Sequence, residues 1–146
     1  MTRRQKTVSK ILEIKEFTRD QIELEVKKAQ ERLNHEEEAL GALERTYQKA
    51  NSDVTKRQMG GTIPAHELEL CYNYLKHLGK QIEQQKKAVA VRAAELAEVK
   101  KAMVEAYKEQ RVFEILQDKI AREQVKEASL GEQKEADYQY LTRKDK

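Results

Sequence analysis

The sequence has 146 residues, of which 38% are charged, 5% are aromatic and none is tryptophan. Charged residues usually make up roughly a quarter of a globular chain, so this composition excludes a compact core of ordinary size. The net charge is only +3, and acids alternate closely with bases instead of leaving the basic face that nucleic-acid-binding proteins carry. We therefore expect a thin helical rod with no nucleic-acid partner.

The first predicted helix begins close to the N-terminus, because Thr2 and Gln5 have the spacing of a capping box. Further along, apolar residues recur alternately four and three positions apart, and only one position of this series is charged. A sustained 3.5-residue period of this kind is typical of the buried seam of a left-handed coiled coil. The spacing predicts a helix over about residues 3–58. Its seam residues are Ile22, Val26, Ala29, Leu33, Glu36, Leu40, Leu43, Tyr47, Ala50 and Val54.

A second apolar group precedes this seam and is out of phase with it. Extending the seam backwards reaches Arg19 and Lys15, which do not suit a dry core. The mismatch predicts a stutter, with the group either packed on the far part of the second helix or exposed as a docking surface. Its members are Val8, Ile11, Leu12, Ile14 and Phe17.

Residues 59–64, Met-Gly-Gly-Thr-Ile-Pro, interrupt the helical pattern and contain the only proline of the chain. Gly60 and Gly61 can adopt the left-handed backbone that ends a helix. Pro64 suits the first turn of the helix that follows. The segment predicts one sharp turn, at which the two helical arms fold back on each other.

The second helix is predicted over about residues 65–140, with the same 3.5-residue period. Antiparallel pairing around the turn makes the residue numbers of facing partners add up to about 125, with a slip of one heptad to about 118 or 132 left open. This register places Glu36, Glu37 and Glu38 across from Lys86, Lys87 and Arg92. The predicted seam residues are Leu68, Cys71, Leu75, Leu78, Ile82, Gln85, Val89, Arg92, Leu96, Val99, Met103, Ala106, Gln110, Phe113, Gln117 and Ile120.

The predicted fold class is all-α. Residues 1–146 form a single domain, a long antiparallel two-helix coiled-coil hairpin, and the second helix outlasts the first as an overhanging C-terminal helix from about Gln117. We predict no active site, because a rod has no cleft that could desolvate and tune a catalytic pair. His35, His66 and His77 lack metal-ligand spacing, and no cofactor is expected.

Location is predicted from what the sequence lacks. No apolar run approaches the roughly 20 residues of a membrane span. The lone Cys71 reads as a small seam filler, which fits a reducing compartment. We expect a cytoplasmic, non-enzymatic protein.

Tyrosines are concentrated near the predicted turn. Tyr47 is a seam residue, whereas Tyr72 and Tyr74 flank the seam and should be partly exposed. Aromatic side chains are enriched at binding hot spots, but rings that lean over the seam would simply widen it. Both interpretations stay open.

Four segments together resemble the FliJ family, the stalk-like proteins of the flagellar type III export apparatus, and their virulence counterparts of the YscO type. They are the apolar start at residues 8–14, the Leu40-x-x-Leu43-x-x-x-Tyr47 pattern, the Met-Gly-Gly-Thr-Ile turn at 59–63 and the Glu-Gln-Lys-Glu-Ala-Asp cluster at 132–137. The resemblance covers nearly the whole chain. It implies an antiparallel coiled coil whose open end enters a hexameric secretion ATPase and promotes assembly of the ATPase ring.

The resemblance also implies a second contact, between the region near the turn and the cytoplasmic domain of the export gate, and in some members a contact with export chaperones. Leu43 and Gln85 stand where the family often has an aromatic residue or His. The residues that match the gate-contacting patch, called the tip patch below, are Glu36, Leu40, Leu43, Tyr47, Tyr74, Leu78, Gln81 and Gln85.

At the open end, the residues expected to face the ATPase are Ile11, Ile14, Phe17, Arg122, Gln133 and Lys134. The resemblance implies a monomer when isolated, associated peripherally with the export apparatus of the inner membrane, that binds no small-molecule substrate. A virulence type III stalk protein, a prefoldin-like coiled-coil holdase and a dimeric scaffold are the alternatives.

Overall fold

The computed structural model describes residues 2–61 and 63–144, which form two long α-helices and no strand. Helix α1 covers Arg3–Met59 and helix α2 covers Ala65–Lys144. The helices pack against each other in two compact units. The terminal unit comprises Met1–Ile22 with Met103–Lys146, and the central unit comprises Glu23–Ala102. The expectation of a single domain over residues 1–146 stays a prediction.

Helix α1 begins with the predicted capping box. The Thr2 backbone N–H donates to Gln5 Oε1 at 3.2 Å, and the Gln5 N–H donates to Thr2 Oγ1 at 3.3 Å. Each side chain thereby satisfies a backbone donor that has no partner inside the helix. The prediction of a helix start at this point is confirmed.

Helix α1 ends at the predicted glycines. Gly61 has a φ of 70°, and its N–H donates to the carbonyl of Gln58 at 3.1 Å, one of the two bonds of a Schellman cap. Pro64 lies one residue before α2, where its carbonyl accepts from the Leu68 N–H at 3.1 Å. It therefore caps α2 instead of occupying the first turn. Thr62 lies outside the described residues.

In the central unit, every predicted seam residue is at least partly buried. Ala29, Leu33 and Leu96 form its core cluster, against which Val26 and Val89 pack. Val54, Leu75 and Leu78 extend the buried stripe towards the turn, and such a stripe is all that each helix of a pair has to bury.

Contacts along the central unit run in opposite directions on the two helices. The Gln85 amide donates to the Glu36 carbonyl at 2.9 Å and also to the Glu36 carboxylate, while Arg57 pairs with Glu67 at 3.2 Å beside the turn. Later residues of α1 thus meet earlier residues of α2, so the pairing is antiparallel. Arg92 and Lys86 form ion pairs with Glu95 and Glu83 of their own helix, not with α1.

The prediction of a stutter in α1 was wrong. Val8 and Leu12 are buried, and Lys15 and Arg19 are partly buried, so the seam continues through them without a change of phase. Ile14 and Phe17 lie off the seam and are 62% and 65% exposed. The seam positions of α1 in the terminal unit are Gln5, Val8, Leu12, Lys15, Arg19 and Ile22.

Polar partners explain why two cations occupy the seam. Lys15 Nζ lies 2.9 Å from Glu109 Oε2 and 5.9 Å from the centre of the Phe113 ring. Arg19 NH1 donates to Gln110 Oε1 at 2.9 Å, and the guanidinium lies 5.9 Å from the Tyr107 ring. Their alkyl stems fill the seam while the charged ends reach these groups.

Amides complete the seam of the terminal unit on α2. Gln110 is buried and its Nε2 donates to Glu114 Oε1 at 2.8 Å. Gln117 Nε2 donates to Ser9 Oγ at 3.2 Å, and Gln5 Nε2 donates to Gln124 Oε1. The facing partners agree with the predicted sum of about 125 better than with a heptad slip.

The prediction that the second helix loses its partner from about Gln117 was wrong, because Gln117 contacts Ser9, Ile120 is buried and Gln124 contacts Gln5. The described side chains are uniformly exposed only from Val125 onwards.

The first prediction concerns the antiparallel pairing of the central unit. In a Cys71→Ser background, Ala29→Cys with Leu96→Cys should give a crosslink within one chain on treatment with a short bifunctional thiol reagent, because both residues belong to one core cluster. Denaturing electrophoresis reads the product. Ala29→Cys with Leu75→Cys is the control and should not crosslink. Products of twice the chain mass alone would show that the pairing is between chains.

The second prediction concerns the polar layer at Arg19 and Gln110. Replacing both by Leu should raise the free energy of unfolding by about 1–2 kcal/mol, because an apolar pair of similar volume avoids the desolvation of the charge. Urea denaturation measures the change. Gln110→Leu alone should gain less, since it removes an acceptor from Arg19. A double variant less stable than the wild type would show that the polar layer contributes net stability.

Candidate partner-binding surfaces

The candidate functional features of the described residues are exposed surfaces that could bind partner proteins. These residues contain no group of three His, Cys, Asp or Glu side chains that could hold a metal ion, and neither helix as described has an apolar stretch long enough to cross a bilayer. Hydrogen bonds from Gln110 and Arg111 lower the pKa of the Glu114 carboxyl, and this partly buried carboxylate lies beside the polar seam.

The tip patch lies mostly inside the seam. Leu78 is 4% exposed, and five others of its eight residues are partly buried against the opposite helix: Glu36, Leu40, Leu43, Tyr47 and Gln85. Of the eight residues, only Tyr74, at 49%, and Gln81 are exposed. A partner that binds this face of the central unit would meet Tyr74 and Gln81 first. Substitutions at the six seam residues would also disturb helix packing.

Tyr72 and Tyr74 are 50% and 49% exposed, which confirms the prediction that these rings flank the seam. Gln58 Nε2 donates to the Tyr72 hydroxyl at 2.8 Å, so Tyr72 is held against α1. Met59 and Leu70 add exposed apolar surface near the turn, at 85% and 56%. Sequence analysis missed both, although Leu70 could have been found as an apolar residue at a non-seam position.

The residues predicted to face an ATPase lie on two parts of the terminal unit. Ile14 and Phe17 project from α1, and Ile11 beside them is partly buried. The antiparallel register brings this part of α1 level with Val112 on α2, which is 60% exposed. Sequence analysis missed Val112 and its neighbour Ile115. They could have been found as two apolar residues that lie three positions apart and outside the seam.

The last part of α2 contributes the other candidates. Arg122, Gln133 and Lys134 are exposed, as is every side chain described from Val125 to Arg143. Thr2 and Gln5 contact Gln124, so Gln133 and Lys134 lie beyond the start of α1 along α2. The structure therefore does not bring them together with Ile14 and Phe17 into one compact patch.

The exposed end of α2 also carries apolar side chains. Val125 is 70% exposed, Leu130 47%, Tyr138 71% and Leu141 60%. They are interspersed with charged residues of both signs, and the surface is consequently mixed in character. Such a surface suits a contact that combines modest apolar burial with polar bonds.

A family model described as "Flagellar FliJ protein" matches residues 5–138. Comparison with curated proteins and with solved structures gives no match. The matched residues include nearly all of α1, the turn and most of α2. The chain therefore belongs to the FliJ family.

Proposed function

We propose that this chain is a non-enzymatic stalk and coupling component of the flagellar type III protein export apparatus. Membership of the FliJ family implies an export-related role, and the match over residues 5–138 is the observation that carries the proposal. The packed pair of long helices supports it, since paired helices can connect two partners without performing chemistry themselves.

The proposed architecture is one antiparallel hairpin with a helical overhang at its open end. Antiparallel contacts within each unit support it, as does the left-handed Gly61 between the helices. The exposure of every described side chain from Val125 to Arg143 supports an overhang that has no partner in this chain. Isolated helices are marginal in water, so this part of α2 would gain most from binding another protein.

The open end is proposed to enter a hexameric secretion ATPase and promote assembly of its ring. A single shaft inside a six-fold ring meets subunits that are not equivalent, so its contacts should be mixed and tolerant. The exposed Ile14 and Phe17 and the alternating charges around Arg122 and Lys134 have this character.

The region near the turn is proposed to bind the cytoplasmic domain of the export gate, with Tyr74 as the main anchor. Export chaperones are a further proposed class of partner. The protein would then work in the cytoplasm, associated peripherally with the inner membrane. Among the alternatives, a prefoldin-like holdase would need β-strands, and the described residues contain none.

The third prediction tests the tip patch. Tyr74→Ala should weaken binding to the isolated gate domain by about tenfold, since a half-exposed aromatic ring is a typical hot spot. Calorimetry measures the affinity, and circular dichroism should show an unchanged helix content. Tyr140→Ala, which removes a ring that is 65% exposed far along α2, is the matched control and should bind normally. Equal affinities for the two variants would remove Tyr74 from the proposed interface.

The fourth prediction tests the open end. Deleting residues 130–146 should leave the melting temperature nearly unchanged, because the side chains described there are exposed and little core is lost. The same deletion should reduce both stimulation of the secretion ATPase and assembly of its ring. An ATPase assay, electron microscopy of the rings and thermal melts measure the three effects.

Lys134→Glu in the full chain changes the charge of the overhang but keeps its length. It should reduce stimulation of the ATPase less than the deletion does. Full stimulation by the truncated chain, together with a collapse in its thermal stability, would mean that the overhang is structural and that the proposed orientation is wrong.

A further inference from the structure

The central unit has a groove beside its seam that two-helix packing does not require. The groove has a volume of about 750 Å³. Ala29 and Val99 from the seam and Val91 and Ala94 from outside it provide its apolar lining. Positions outside the seam of a two-helix rod are normally polar. Val91 is nevertheless 56% exposed, so this part of α2 has a wider apolar stripe than its contact with α1 uses.

The two rims of the groove carry charges of opposite sign. Lys28 and Arg32, which are four residues apart and share one face of α1, line the first rim. Glu95 and Glu98, which are three residues apart on α2, line the second. Glu25 lies one turn before Lys28 and ends the basic part of the first rim.

The glutamates of the acidic rim form ion pairs that an incoming cation could replace. Glu95 pairs with Arg92 at 3.0 Å and Glu98 with Lys101 at 3.5 Å, and the Glu98 pair is about three-quarters exposed on both sides. Ion pairs this exposed to water contribute little stability. A cation on an incoming helix could therefore replace them at small cost.

We propose that this groove binds an amphipathic helix of a partner protein, which packs as a third helix against α1 and α2. Its apolar stripe would cover Val91 and Ala94. Acidic residues on one flank would meet Lys28 and Arg32, and basic residues on the other flank would meet Glu95 and Glu98. A helix laid in an apolar groove is a common mode of recognition, and the opposite signs of the rims select one with mixed flanks.

The occupant is a partner and not a second copy of this chain. The same face of a second copy is itself a groove, and two facing grooves would leave the space between them unfilled, whereas the convex stripe of a single helix can enter the groove. No tip-patch residue lines the groove, so the inference does not rest on the proposed gate contact.

The probe is a synthetic helix of about 18 residues, or five turns, with a leucine stripe, one tryptophan within the stripe, Glu on one flank and Lys on the other. The protein has no tryptophan, so the fluorescence reports on the peptide alone. Two comparison peptides carry Lys on both flanks or Glu on both flanks. The mixed peptide should bind the full chain about tenfold more tightly than either. Equal affinities for all three peptides would overturn the proposal.

Val91→Glu places a charge on the floor of the groove and should reduce binding of the mixed peptide by about tenfold or more. Val112→Glu is the matched control, because Val112 is similarly exposed, at 60%, but lies in the terminal unit. It should bind normally. Thermal melts check that both variants fold. Equal losses in the two variants would place the peptide elsewhere.

Reversing one rim provides the second, independent arm. Glu95→Lys with Glu98→Lys makes both rims basic, so the peptide with Glu on both flanks should become the tightest binder of the three. An unchanged order of affinities would overturn the proposal. Light scattering of the free chain tests whether a second copy occupies the groove. If the chain self-associates and Val91→Glu abolishes the association, the groove binds a second copy and the proposal of a partner helix is rejected.

Discussion

The antiparallel seam between α1 and α2 is the contact on which the whole molecule depends. Each helix is rich in charge and has only one narrow stripe to bury, so neither can form a core alone. Core residues such as Leu33 and Leu96 are buried only because the turn at Gly61 returns the chain along itself. Surface positions elsewhere are then free to carry partner contacts without loss of packing.

Polar residues interrupt the apolar seam in both units. In the central unit Glu36 and Gln85 lie beside the cluster of core residues, and in the terminal unit Arg19 and Gln110 lie among buried apolar residues. Polar seam residues cost stability but select one register, because a slip would leave their hydrogen bonds unmade. Both units therefore combine apolar burial with polar contacts that fix the register.

Much of this fold could be predicted because the seam repeats. The capping box at Thr2, the end of α1 at the glycines and the alternation from Ile22 onwards follow from local spacing alone. The stutter was predicted wrongly because Arg19 was judged by its charge, and the partners that accommodate it, Gln110 and Tyr107, lie some ninety residues away. The groove could not be foreseen either, since it depends on which side chains of α1 and α2 face each other. Binding residues were hardest, because exposure alone does not identify a partner.

The central claim is the proposal that the terminal unit, and not the turn, meets the secretion ATPase. Photocrosslinking amino acids placed singly at Phe17, Lys134 and Tyr74 test it directly in a complex with the assembled ATPase, read by mass spectrometry. The account predicts ATPase crosslinks from Phe17 and Lys134 and none from Tyr74. Crosslinks to the ATPase from Tyr74 alone would contradict it.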